Sequence, residues 1–140
     1  MQEKQATRRF VPEELCAWWE AEGTLALLPK GFKPEDCKKA QFGITQRDTI
    51  VFHQEVRGGL VDLCGVDPRA CFVYEDRIIL RNPIEIKKII DAIEPYVRTR
   101  KRKAQIAAFR AFYAARKHLF RPYTPKPRLR KRWPGQPVGP

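Results

Sequence analysis

A short apolar helix that runs directly into a strand constrains the fold of this chain more than any other feature of the sequence. The stretch 15–24, LCAWWEAEGT, places Glu20, Glu22 and then Gly23 at the C-terminal end of that helix. A helix already carries partial negative charge at this end, so two carboxylates there are electrostatically unfavourable. We therefore expect a positive group beside them, either a bound metal ion or a basic side chain.

The hydrophobic pattern and the turn residues predict an α+β fold with the element order α-β-β-α-β-β-α-α and four antiparallel strands. Helices are predicted at about 12–21, 49–64, 83–94 and 100–119, and strands at about 24–28, 40–46, 70–75 and 77–81.

Three of these helices have apolar stripes that predict their inward faces, and in the third helix the stripe comprises Ile86, Ile89, Ile90 and Ile93. In the second helix the stripe comprises Phe52, Val56, Leu60 and Leu63. In the fourth helix Ala108, Phe112, Ala115 and Leu119 are predicted to pack inward, whereas Arg102, Arg110 and Lys117 are predicted to face solvent.

The charge of the chain is concentrated in its last third. Residues 1–94 contain 14 basic and 16 acidic residues, whereas residues 95–140 contain 14 basic residues and no acidic one. A region of one sign is typical of contact with phosphate backbones, because an ordinary solvated surface mixes both signs. An acidic membrane is disfavoured as a partner, since no amphipathic stretch carries an exposed aromatic face. We therefore expect a nucleic-acid partner and no membrane partner.

Composition divides the chain into a polar N-terminal arm at 1–11, one domain at 12–119 and a basic, proline-rich tail at 120–140. The tail has six prolines interspersed with basic residues, so it is expected to be extended and polyproline-like. The four cysteines form no C-x-x-C pair, which favours free thiols in a reducing compartment. Three of them, Cys16, Cys64 and Cys71, fall on faces predicted to be buried.

The stretch 15–24 resembles the signature helix of the LAGLIDADG homing endonucleases. Leu15, Ala21 and Gly23 are identical to that motif, and Glu20 and Glu22 replace its two aspartates. Residues 42–46 resemble the end of the family's second strand, and residues 95–103 resemble the basic turn before its last helix. With the matching element order, the resemblance covers residues 15–112.

This resemblance implies a saddle-shaped sheet that lies over nucleic acid, and a chain with one motif that works as a dimer. Ala17 and Ala21 would then form the dimer seam, because small residues let two helices approach closely. Glu22 takes the position of the metal-binding catalytic acid, and Gln46 and Arg100 match residues around the cleaved phosphate. An active member would bind Mg²⁺ through Glu22, and Glu22, Gln46 and Arg100 would be its catalytic residues.

The sequence also contains a large set of candidate nucleic-acid contacts. In the first strand both faces are largely apolar, and Ile50 stands where some family members have a basic residue, so recognition of the backbone is favoured over reading of bases. The predicted contacts are Lys39, Gln41, Arg69, Arg77, Arg81, Arg98, Arg100, Lys101, Arg102, Lys103, Arg121, Lys126, Arg128, Arg130, Lys131 and Arg132.

Three functions are compatible with these features. The favoured prediction is a structural RNA-binding protein of LAGLIDADG descent in a large ribonucleoprotein, such as a mitochondrial or alternatively a chloroplast ribosome. It would need no cofactor, would bind RNA in preference to DNA, and would contact ribosomal proteins and a second copy or a related domain. The alternatives are an active magnesium-dependent homing endonuclease that cuts double-stranded DNA, and an intron maturase.

Overall fold

The structure, a computed structural model, describes residues 11–45, 50–74 and 76–124, and for residues 50–53 it describes the backbone alone. The described residues exclude most of the predicted N-terminal arm, the predicted start of the second helix at residue 49, the side chain of Phe52, and the tail from residue 125.

The predicted α+β fold and its element order are confirmed. The helices and strands are α1 (Pro12–Glu22), β1 (Gly23–Leu28), β2 (Lys39–Thr45), α2 (Ile50–Cys64), β3 (Phe72–Val73), β4 (Arg77–Leu80), α3 (Pro83–Ile93) and α4 (Arg100–Arg116). Short 3₁₀ turns lie at Pro34–Asp36, Pro68–Ala70, Glu94–Tyr96 and Lys117–Leu119.

Local sequence accounts for several helix boundaries. Asn82 caps α3, because its side chain accepts hydrogen bonds from the N–H groups of Ile84 and Glu85. Thr99 caps α4 in the same manner. Gly65 follows α2 with a φ of 72°, a left-handed conformation that favours glycine. These residues start and stop the helices where the sequence pattern places them.

The four strands form one antiparallel sheet in the order β1-β2-β4-β3. Residues that pair directly across two strands share a face of the sheet. Leu25, Phe42 and Leu80 belong to the face that the helices cover, and all three are buried. The other face, which we call the open face, carries Thr24, Gln41, Gly43, Thr45, Arg77 and Ile79.

One hydrophobic core joins all four helices to the covered face of the sheet. The isoleucine stripe of α3, Ile86, Ile89, Ile90 and Ile93, is fully buried. In α2 the predicted stripe is right for Val56 and Leu60, but the prediction for Leu63 is wrong, since this side chain is 37% exposed.

The predicted inward face of α4 is right for Phe112 but wrong for Ala115 and Leu119. Ala115 and Leu119 are exposed, and the buried apolar residues are Ile106, Phe109 and Phe112. The helix contacts the core through its first three turns, and its last residues extend beyond it. An apolar stripe indicates a possible contact face, but the length of the neighbouring core decides how much of it is used.

The cysteines are free thiols. Cys16 and Cys71 are buried as predicted, Cys64 is half-buried, and Cys37 is also buried although the pattern did not predict it. Burial raises the pKa of the Cys71 thiol to about 12, so this group is protonated at neutral pH. Among the described residues, no helix is long and apolar enough to cross a membrane.

Candidate nucleic-acid interface

The junction between α1 and β1 is organised around Trp19. Its indole Nε1 donates to the carbonyl of Thr24 at 3.1 Å, and its ring stacks on Phe42 with the centroids 6.0 Å apart. A Cβ atom on Gly23 would lie 2.1 Å from Cδ1 of Trp19, a distance that no side chain tolerates. Gly23 is therefore needed here for the close approach of the indole.

Arg102 supplies the positive group that the end of α1 requires. Its Nη2 donates to the carbonyls of Gly23 at 2.8 Å and Glu20 at 3.1 Å, and its guanidinium lies 4.7 Å from the centre of the Trp19 ring. The prediction that Arg102 faces solvent and contacts nucleic acid is wrong, because the residue is only 8% exposed. Carbonyls at a helix end lack partners within the helix, and a buried guanidinium satisfies them.

Glu20 binds the turn that begins α4. Its carboxylate accepts hydrogen bonds from the backbone N–H groups of Arg98 at 2.9 Å and Thr99 at 3.2 Å. Partial burial, the largest single influence, acts to raise the pKa of Glu20, but these hydrogen bonds outweigh it and the net pKa is lowered. Glu20 therefore stays ionised and holds α1 against the positive end of α4.

Glu22 differs from Glu20 in its exposure and in its hydrogen-bond partners. Its side chain is exposed, and its carboxylate has no hydrogen-bond or ion-pair partner within the part of the chain that the structure describes. That part of the chain also contains no group of three or more His, Cys, Asp or Glu residues that could hold a metal. Within the described residues Glu22 therefore lacks a set of carboxylate or histidine partners, and Mg²⁺ would need further ligands from elsewhere, such as a second copy or phosphate oxygens.

A cluster of unpaired cations surrounds the buried Arg102. Arg98, Arg100, Lys101 and Lys103 are exposed, and none of their side chains forms an ion pair within the described ranges. We call these four residues the basic turn. Its backbone is fixed by Glu20, by the Thr99 cap and by Arg102, so the four charges are held on an ordered support.

Other basic residues lie beside acidic partners. Arg69 forms two hydrogen bonds with Asp67, at 2.8 and 3.1 Å, and this pairing lowers the pKa of Asp67 to about 2. Arg77 lies 5.6 Å from the centre of the Tyr74 ring and 3.8 Å from Asp76. Arg110, which was predicted to face solvent, is half-buried and pairs with acidic residues of α3 and the turn after it.

The structure brings Lys39, Gln41 and Arg81 together at one end of the sheet. Lys38, which was not predicted as a contact residue, lines one groove together with these three residues. The pairing of Leu28 with Lys39 places the end of β1 beside the start of β2, and β4 ends at the same edge. Sequence spacing could not reveal this neighbourhood, because strand order and register create it.

The predicted seam residues lie on the surface. Ala17 and Ala21 are exposed on α1 and line an open groove of about 680 Å³ between α1 and residues 95–99. Their exposure leaves the seam available to another helix, and dimerisation stays a prediction.

The start of the tail is anchored to the domain. The Phe120 ring lies 5.3 Å from both Phe112 and Tyr113, and the Asn82 amide donates to the carbonyl of Arg121 at 3.0 Å. The Arg121 side chain is exposed. The remaining predicted site residues, Gln46, Lys126, Arg128, Arg130, Lys131 and Arg132, lie outside the described residues.

Comparison with known proteins identifies structural similarity without sequence relatives. No family model matches the chain, and no curated protein sequence matches it. Among solved structures, the chain is similar to the group I intron-encoded homing endonuclease I-CeuI complexed with DNA, with a TM-score of 0.49 and 15% identity. The match covers 85% of this chain, and the chain spans 60% of the length of that endonuclease chain.

Proposed function

We propose that this chain is a structural RNA-binding protein that contacts phosphate backbones through the basic turn, through the end of its sheet and through its basic tail. The observation that carries the proposal is the basic turn, whose four exposed cations form no ion pair within the described residues and whose backbone is fixed next to the buried Arg102. Exposed cations on a fixed backbone, without acidic partners among the described residues, attract polyanions.

The balance of contact types favours a role in binding over one in sequence-specific cleavage. The polar side chains of the open face are interrupted by Ala26, Gly43 and Ile79, whereas readout of base edges needs arrays of donors and acceptors. Glu22, at the position of the LAGLIDADG catalytic acid, belongs to no group of three or more His, Cys, Asp or Glu residues within the described part of the chain. A large ribonucleoprotein, such as an organellar ribosome in the mitochondrion or the chloroplast, is the setting we propose.

Sedimentation tests this proposal directly. Full-length tagged protein, expressed in its source cells, should sediment with a large particle in high salt and should leave that fraction after RNase treatment. Ultraviolet crosslinking should then recover RNA attached to the protein. A protein that sediments as a free dimer before RNase treatment, and that crosslinks to no RNA, would contradict the proposed role.

A magnesium-dependent endonuclease is the second candidate, and the exposed carboxylate of Glu22 favours it. In a dimer that joins two α1 helices, two copies of Glu22 could hold metal beside the scissile phosphates, where the metal would activate water. The test is incubation of the full-length protein with total genomic DNA of the source organism and Mg²⁺, followed by sequencing of the new ends. Recurrent cuts that disappear in Glu22→Gln but persist in Glu13→Gln would establish this activity.

A further inference from the structure

A groove at one end of the sheet combines a cationic rim with an apolar floor. We call it the sheet-end groove, and its volume is about 490 Å³. Lys38, Lys39 and Arg81 form the rim, and Leu28, Pro83 and Phe120 belong to the floor. This volume falls within the range of roughly 300–1,000 Å³ that is common for small-molecule sites.

The rim is selective for negative charge. Lys38, Lys39 and Arg81 are all exposed, and their side chains form no hydrogen bond or ion pair with any residue that the structure describes. None of the described residues that line the groove is acidic, although Glu35 and Asp36 precede it in the chain. Such an unneutralised group of cations matches a ligand that carries phosphates.

The floor is packed against the domain. The Phe120 ring is held 5.3 Å from the rings of both Phe112 and Tyr113, and the following residue is tied to Asn82 through its carbonyl. An immobilised aromatic ring offers stacking area without a large loss of side-chain entropy. Gln41, the one uncharged polar side chain on the lining, adds a donor and an acceptor.

We propose that the sheet-end groove binds an unpaired nucleotide of RNA, with its base against the apolar floor and its phosphates on Lys38, Lys39 and Arg81. The inference rests on the proposed RNA-binding function and specifies the form of RNA that the protein prefers. A duplex uses its phosphates but keeps its bases stacked inside, so it would leave the apolar floor unoccupied. Unpaired bases, in contrast, are commonly stacked on aromatic side chains.

Changing the RNA tests the groove without any risk to protein folding. Binding of the full-length protein is measured by fluorescence anisotropy with a short single-stranded RNA, with the same strand carrying abasic positions, and with the matching duplex. We expect the abasic strand to bind roughly tenfold more weakly than the intact strand, because base stacking is lost. The salt dependence of binding should be unchanged between these two strands, since both retain their phosphates.

Variants of the rim provide the second arm of the experiment. Lys39→Gln combined with Arg81→Gln should reduce the salt slope for single-stranded RNA by about 1.4, at about 0.7 for each lost phosphate contact. Arg69→Gln combined with Lys87→Gln is the matched control: it also removes two cations, each of which is already paired with a carboxylate outside the groove lining, and Asp91 keeps its partner Arg110. We expect this control to retain wild-type affinity.

The outcomes separate this inference from the function on which it rests. Equal binding of the intact and abasic strands, by a protein that still binds RNA, overturns the nucleotide site and leaves the proposed function standing. That result also follows if a protein segment or a second copy occupies the groove. Loss of the abasic effect in Phe120→Leu supports the site, whereas failure to bind any of the three RNAs overturns both proposals.

Discussion

The basic turn before α4 and the basic residues around α2, β3 and α3 contain the same residue types in opposite electrostatic settings. Around the turn, Arg98, Arg100, Lys101 and Lys103 face solvent without acidic partners in the described structure. In the other region, Arg69 and Lys88 are held by Asp67 and Glu85. Charge that is locally neutralised contributes little to long-range attraction, so only the first region can act as a contact surface for polyanions.

The two regions also differ in which residues stabilise the local structure. In the basic turn one arginine, Arg102, is buried to hold the backbone, and its neighbours are thereby free to face outward. In the other region Arg69 and Lys88 themselves form the stabilising ion pairs, with Asp67 and Glu85. A basic sequence therefore indicates binding potential, and the pairing of each side chain decides whether that potential is available.

Removal of the buried arginine should produce the largest effect. Arg102→Met leaves the carbonyls of Glu20 and Gly23 without their donor and removes the contact with the Trp19 ring. We expect the free energy of unfolding to fall by about 3 kcal/mol, as measured by urea denaturation. Lys103→Gln, an exposed change in the same turn, should alter it by less than about 0.5 kcal/mol. Equal changes in the free energy of unfolding would show that Arg102 stabilises the fold no more than an exposed residue of the same turn does.

Neutralising the exposed cations should affect binding and leave stability nearly unchanged. For Arg100→Gln combined with Lys101→Gln and Lys103→Gln, we expect affinity for single-stranded RNA to fall ~100-fold in 0.1 M salt, with a salt slope lower by about 2. Anisotropy titrations across a salt series measure both quantities. A decrease that persists unchanged at high salt would indicate misfolding rather than lost phosphate contacts, and urea denaturation of the same sample checks this.

The pairing of Glu20 with the basic turn should make stability depend on pH. The folded-state pKa of Glu20 is lowered from its ordinary value of 4.5, so its contribution is present above that value and is lost as the pH falls through the folded pKa. Glu20→Gln should therefore be less stable than the wild type at neutral pH, by at most about 1 kcal/mol, and the difference should shrink in acid. Urea denaturation at neutral and acidic pH measures it. A difference that is constant with pH would contradict this role for the carboxylate.

Removal of a paired arginine should have the smallest effect. Arg69→Gln takes away a cation whose charge Asp67 already neutralises through two hydrogen bonds. We expect the affinity for RNA to change by less than about threefold. An arginine that is already paired with a carboxylate neutralises no phosphate, so its removal changes the release of counterions from the RNA very little. An effect as large as that of a single change in the basic turn would mean that Arg69 leaves Asp67 to contact the RNA, and the contrast between the two regions would fail.

The order of helices and strands could be predicted because each depends on local patterns. The isoleucine spacing in α3, the glycine after α2 and the prolines that begin α1 and α3 act over a few residues. The fourth helix was harder, since its apolar residues form more than one possible stripe. Contact with the core selected Ile106, Phe109 and Phe112, and no local signal distinguishes them from Ala115 and Leu119.

The candidate site was predictable in composition but not in arrangement. Sequence reasoning required a positive group at the end of α1, and it identified residues 95–103 as basic. The sequence did not show that a residue from this basic stretch is the positive group at the end of α1, and its pattern placed Arg102 on the surface. A contact across about eighty positions of the chain, such as Arg102 with Glu20, is created only when α4 packs against α1.

The sequence by itself determined the elements of this protein, the excess of positive charge at its C-terminal third and the electrostatic conflict at the end of α1. Those properties depend on neighbouring residues and on composition, which any conformation of the chain retains. Only the tertiary structure decided which cations are buried, which are neutralised by carboxylates and which remain available, as well as the meeting of Lys38, Lys39 and Arg81 at one groove. Hydrogen bonds and ion pairs act over a few ångströms, so their partners are fixed by the packing of distant segments.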